Sequence, residues 1–230
     1  MSTRAAWILC LAAGLIVVAL TVIIGGVEGV RACDGVKSPA PMIRFEWVRN
    51  VDEVEALFGA EPCRSTLASA FDEVNRLDMW GYIPAFTLFQ LLAAWALSGS
   101  GRRLAAAAAL AAIVAAICDQ AEDQILFAIT ASLPGEQGQI DMLFWLVRAK
   151  FALLAAAAAC LGILLARRRD ATRWHGMAMI AAAAVALAGL IDPRLLAPGI
   201  GIAWAALIFA AALQVVLVRP SSAASSSPRT

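Results

Sequence analysis

Residues 104–130 read LAAAAALAAIVAAICDQAEDQILFAIT. From Leu104 to Ile117 no side chain is polar; Asp119, Gln120, Glu122, Asp123 and Gln124 then follow in quick succession. A surface helix of a soluble protein would carry polar residues on one face throughout its length. A stretch that is apolar all round and this long reads as a helix crossing a hydrocarbon core, which takes about 20 residues. Backbone polar groups in lipid have no water to bond, so such a stretch closes its own hydrogen bonds as a helix. Five more runs share the pattern: Ala5 to Val27, Trp80 to Ser98, Met142 to Ala166, Gly176 to Ile191 and Gly199 to Val218. The whole chain is 62% hydrophobic and 15% charged, against about 25% charged in an ordinary soluble domain. A net charge of +1 leaves no basic surface for nucleic acid. The fold class is therefore an all-α integral membrane protein with six transmembrane helices and the lipid bilayer as its first partner. The fifth run is the shortest, and a hairpin re-entering near Pro193 and Pro198 is the alternative to a tilted span.

The first run exceeds the 7–15 residues of a signal-peptide core, and no small-x-small cleavage site follows it. Val30-Arg31-Ala32-Cys33 fits a lipoprotein cleavage box badly because of its arginine. Residues 1–27 are therefore read as an uncleaved first span. Basic residues in short loops decide sidedness. Arg102 and Arg103 occupy one turn, and Arg167, Arg168, Arg169 and Arg173 outnumber Asp170 in the next loop on that side. Arg4 and Arg219 flank the chain's apolar ends. Opposite them, residues 28–79 carry six basic and ten acidic side chains, and the 131–141 loop carries Glu136 and Asp141. Both termini are thus expected in the cytoplasm, with 28–79 external. Spans two to four fall within 80–166 and spans five and six within 167–218. The serine-rich tail, 219–230, has no apolar content to order it. Trp7, Trp80, Tyr82, Trp145 and Trp174 lie near predicted interfaces, as belt anchors would.

The external segment is broken by Ser38-Pro39-Ala40-Pro41. Ile43, Phe45 and Trp47 alternate with Arg44 and Glu46, which suggests a short strand. Asn50 and Glu53 form a capping box ahead of a helix through Val54, Leu57 and Phe58 that stops at Gly59. A second amphipathic helix shows Leu67, Phe71, Val74 and Leu77 on one face and runs on into the second span. These faces are too small to fold alone, so they are expected to cover the outer ends of the spans. Cys33 and Cys63 are the two cysteines outside the predicted spans, in an oxidising compartment, which points to a disulfide. Closing a loop of roughly 30 residues would stabilise by about 3 kcal/mol. A redox-active pair is the alternative, although neither cysteine has a C-x-x-C partner. Cys10, Cys118 and Cys160 sit in separate spans as small packing residues.

Asp119, Glu122 and Asp123 are spaced i, i+3, i+4 and share one helix face; Gln120 and Gln124 share an adjacent one. The fourth span supplies Arg148 and Lys150. Glu122 and Lys150 lie equally far from the hairpin tip at Glu136, so at about 1.5 Å rise per residue they meet at one depth in the outer half of the membrane. Arg148 and Lys150 point roughly 200° apart. Lys150 is the expected inward partner, while Arg148 would snorkel outward or meet the external segment. A charge near the bilayer centre costs about 2.5–3.5 kcal/mol on insertion scales, so pairing is expected, with a surplus acid protonated or facing a wet cavity. Gln90 is expected to bond between helices rather than join the cluster. A metal site would lack nitrogen ligands here, because the one histidine, His175, lies on the other side. No cofactor motif, P-loop, G-x-S-x-G or H-E-x-x-H occurs.

Phe45-Glu46, Leu77-Asp78 followed by Tyr82, Asp119-x-x-Glu122 and Lys150-Phe151 together resemble a group of uncharacterised bacterial multi-pass membrane proteins. Members of that group usually have asparagine after the glutamate, where this chain has Asp123. The resemblance covers about half the chain and implies a bacterial inner-membrane location, with a four-helix core and an appended C-terminal hairpin. It implies no activity. Three functions fit the residues: binding or transport of a small molecule, lipid or proton through an outward-facing pocket between the third and fourth spans; a structural protein whose charges only lock those helices; or a membrane-embedded enzyme acting on a lipid or isoprenoid. Alanine-rich helix faces do not fix an oligomeric state.

Overall fold

A computed structural model describes residues 2–34 and 41–217, and its regular structure is entirely helical. Ten α-helices follow in order: α1 (Thr3–Gly25), α2 (Glu28–Asp34), α3 (Pro41–Glu46), α4 (Val51–Phe58), α5 (Cys63–Leu77), α6 (Ile83–Leu97), α7 (Arg102–Ala131), α8 (Gln137–Ala166), α9 (Thr172–Ala188) and α10 (Leu196–Leu217). Five continuous helical stretches are long and apolar enough to cross a membrane: α1, the α5–α6 rod, α7, α8 and α10. The chain is consistent with a multi-pass membrane protein on that ground. At 17 residues, α9 is about 25 Å long, short of a 30 Å core if it stood upright. The 219–230 tail and the Ser38–Ala40 break lie outside the described residues.

The long helices close into a ring. α1 packs on α6, α6 on α7, α7 on α8, α8 on α9, α9 on α10, and α10 returns to α1. The C-terminal pair is thus not an appendage to a four-helix core: α10 seals the bundle between α1 and α9. Small residues make the closure possible, as they do where lipid provides no hydrophobic drive. At the α8–α9 crossing, a methyl on Gly176 would strike the Gly162 carbonyl and the Ala166 backbone. Large apolar side chains such as Leu15, Ile16, Ile113 and Ile117 face outward, as a lipid-facing surface requires. So do Trp80, Trp145 and Trp174, whereas Trp7 is fully buried and Tyr82 lies inside against Phe86 and Trp204. Trp7 and Tyr82 are therefore interior residues, not belt anchors.

Helices α2 to α5 cap one end of the ring. Cys33 and Cys63 are disulfide-bonded, with Cα atoms 5.5 Å apart, tying α2 to the start of α5. Asn50 caps α4 by accepting from the Glu53 amide at 2.9 Å, while the Glu53 carboxylate accepts from the Arg49 amide at 2.8 Å. Gly59 ends α4 with φ at 61°, a conformation open to glycine. Residues 43–47 are not a strand: Pro41 opens a six-residue helix instead. A short alternating run fits a single helical turn equally well, and no strand among the described residues is there to pair with it. Phe45 then buries against Phe58 and Phe71, with centroids 5.1 and 5.3 Å away. The cap touches the spans at the α7–α8 tip, where Gln137 Nε2 donates to the Arg49 carbonyl at 3.1 Å.

Candidate functional site

Glu136 and Gln139 form a reciprocal capping box that starts α8, which fixes the register of the α7–α8 hairpin. That register brings Glu122 opposite Lys150. Lys150 Nζ lies 2.8 and 2.7 Å from the two oxygens of Glu122, 2.9 Å from Asp119 Oδ1 and 3.6 Å from Glu46 Oε2. Glu122 and Lys150 are buried, at 1% and 5% exposure. The third acid, Glu46, descends from α3 in the cap. Burial pushes its carboxyl above the ordinary range, the Lys150 ammonium pulls it back, and Asp119 adds to the rise.

The other predicted cluster members go elsewhere. Asp123 is 1% exposed but makes no ion pair with Lys150, and its Oδ2 has no hydrogen-bond partner. Arg148 leaves the cluster altogether. Its guanidinium stacks 3.5 Å from the Phe144 ring centre and 4.8 Å from Trp47, and it donates to the Phe144 carbonyl at 3.0 Å. Trp47 follows α3, so Arg148 does meet the external segment. Gln120 and Gln124 turn toward residue 79: Gln120 Nε2 donates to the Met79 carbonyl at 2.7 Å, and Gln124 Nε2 reaches the Met79 sulfur at 3.5 Å. Gln90 is buried with its Nε2 unbonded.

The Gln120 contact has a backbone cause. Asp78–Tyr82 is a π-turn joining α5 to α6, in which the Ile83 amide bonds the Asp78 carbonyl five residues back. The same pattern would give the Met79 carbonyl to residue 84, which is proline and has no N–H. Gln120 supplies the missing donor. Such one-turn bulges recur at functional sites, and this one aims Asp78 and Tyr82 into a cavity.

That cavity has a volume of about 280 Å³. Its polar wall is Glu46, Asp78, Asp119 and Lys150; its apolar wall includes Ile24 of α1, Met42 and Ile43 of α3, Phe86 of α6, Leu154 of α8, and Ile200 and Trp204 of α10. It lies at the capped end of the ring and is bounded by α1 and α10 as well as by the α7–α8 hairpin. Tyr82, Phe86 and Trp204 form an aromatic group, with Trp204 centred 5.5 Å from Tyr82 and 4.4 Å from Phe86. Sequence reasoning from helix periodicity missed Glu46, Asp78 and Trp204, since each reaches the site from an element whose packing the pattern does not encode. The signal for Glu46 and Asp78 was the short-motif resemblance: Glu46, Asp78, Tyr82, Asp119, Glu122, Lys150 and Phe151 all lie in or beside this one cavity.

At the opposite end, Asp170 accepts from the Thr172 amide at 3.0 Å and from its hydroxyl, from Arg168 Nε at 2.9 Å and from Gln214 Nε2 at 3.0 Å. Burial, the largest single influence, raises its carboxyl, and the hydrogen bonds from Thr172, Arg168 and Gln214 together outweigh it, holding it at about 2. This knot fastens the α8–α9 loop to the last turns of α10. No family model, curated protein or solved structure matches the chain, so the chemistry of the site rests on its own geometry.

Proposed function

We propose that the chain is a six-span protein of the bacterial inner membrane, termini in the cytoplasm, that binds a small molecule in an outward-facing polar cavity. The observation that carries this reading is the cavity itself: about 280 Å³ of space lined by four charged side chains and by apolar and aromatic groups. Ligand sites are concave, mostly apolar and furnished with a few convergent polar groups. An ionic lock alone needs one acid and no space beside it. The Arg168–Asp170–Gln214 knot supports the sixth span, because it ties the start of α9 and the end of α10 to the same arginine-rich side.

A purely structural role is the second reading, favoured by the bidentate, fully buried Glu122–Lys150 pair. Untargeted mass spectrometry of small molecules and lipids co-purifying with the protein separates the two. Binding predicts a species enriched with the native chain and lost when the cavity is filled by Leu154→Trp. Identical profiles for native and filled protein would leave the lock. Reporter fusions after Arg103 and Glu136 test the topology, with a cytoplasmic signal expected from the first alone.

A further inference from the structure

Among the described residues, five carboxylates gather around one ammonium: Glu46, Asp119 and Glu122 touch Lys150, and Asp78 and Asp123 interact with the same group electrostatically. Lys150 is therefore spent. Its charge is met by Glu122 through both oxygens and by two further acids, so it has none to offer an anion entering the cavity. Asp78 is different. It lines the cavity and its carboxylate forms no hydrogen bond or ion pair with any described residue, while sitting in the field of Asp119 and Glu46. A carboxylate surplus in a low-dielectric site is neutralised by a proton or by a cation from outside the chain, and a cation entering beside Asp78 would take the proton's place.

Two observations say what kind. Three of the acids already converge on the Lys150 ammonium, and no three acidic, histidine or cysteine side chains among the described residues are grouped to hold a metal ion. Lining the same cavity is the Tyr82–Phe86–Trp204 group, whose rings stand within 6.0 Å of one another, centre to centre. Aromatic faces attract cations through the ring quadrupole and, with a carboxylate alongside, form the recurrent receptor for alkylammonium groups. The remaining walls, Ile24, Leu154 and Ile200 among them, are apolar.

We infer that the cavity takes an organic monocation, an amine or quaternary ammonium with a compact apolar body, held between the Asp78 carboxylate and the Tyr82–Trp204 aromatic wall. This rests on the binding-site reading above and names its ligand class. Asp78 and Trp204 act by direct contact; Lys150 organises the acids around it without touching the cation.

Three probes of one size test it: benzyltrimethylammonium, its neutral isostere neopentylbenzene, and benzenesulfonate. Each is titrated calorimetrically into the full-length protein in lipid nanodiscs, with empty discs subtracted. The cation is expected to bind about tenfold or more tighter than the isostere, the scale of one charge-assisted contact, and the sulfonate not to bind. Asp78→Asn should lower cation affinity by about tenfold and leave the isostere unchanged; Asp78→Glu should retain the preference. Trp204→Leu, on a different helix, should weaken the cation by roughly threefold or more and serves if the Asp78 variants do not fold. Equal affinity for cation and isostere would overturn the charge preference and leave the binding site standing. Preference for the sulfonate would overturn it in favour of Lys150. Binding of no probe, with a co-purifying species still lost on filling the cavity, would reject the ligand class alone; loss of both would reject the site.

Discussion

Lys150 is 6% exposed at its side chain and carries the charge that three acids share. Deleting it alone leaves those acids buried without a counter-charge, and breaking a buried pair costs about 3–5 kcal/mol. Lys150→Met is expected to lower stability by that order in thermal unfolding. Adding Glu122→Leu should restore much of the loss, because Glu122 is the acid sealed behind the lysine. Unchanged stability in the single variant would mean that the acids sit there neutral whatever Lys150 does. Asp170 makes a prediction of opposite character, at the surface. Its carboxyl is held at about 2, below the usual value of 3.8, so its contribution is fully present above about pH 4 and fades as pH falls through 2. Asp170→Asn removes that contribution. The stability difference between native and variant should therefore be constant near neutrality and shrink in acid; a difference that grew with acidity would contradict the hydrogen bonds assigned to Asp170.

Elements meet here through small residues and short motifs. Gly176 faces the Gly162 carbonyl across the α8–α9 crossing with no room for a methyl, whereas Gly201 on α10 faces open space. Gly176→Leu is expected to cost about 1–3 kcal/mol, the range of overpacking, or to detach α9. Gly201→Ala should be neutral or slightly stabilising. Similar melting curves for both would mean that α9 is held by something other than this crossing. The elements were legible in the sequence wherever their own periodicity speaks. The α4 cap at Asn50, the amphipathic α5 and its continuation into α6, and the Glu122–Lys150 register all follow from counting residues along helices. Residues 43–47 did not, because alternation over a single turn fits both secondary structures. The π-turn did not either: it depends on Pro84 and Gln120 jointly, residues from two different helices.

At the scale of the molecule, a ring of helices carries a disulfide-tied cap. The apolar runs announced the helices, yet not the closure of α10 onto α1, which is decided by which alanine-rich faces fit and leaves no mark in hydropathy. The same gap hid Trp204 from the site. The cap has its own stability. Replacing Cys33 and Cys63 by serine should remove about 3 kcal/mol, the worth of closing a loop of this size in the chain-entropy model. Hydrogen exchange should then quicken in α4 and α5 while α7 and α8 keep their protection. Uniform quickening would show instead that cap and ring unfold as one unit.

Glu46 precedes Lys150 in the chain by more than two whole spans, and the two meet across the boundary between cap and ring. In the orientation proposed, Glu46 is exported before its partner has been made. The contact can form only after the α7–α8 hairpin has inserted the right way round and the cap has settled on it from the far side. A hairpin inserted upside down would leave Lys150 at the wrong depth and the cap unfastened, open to proteases. In the proposed orientation the contact joins, on the outer side of the membrane, two segments made at different times.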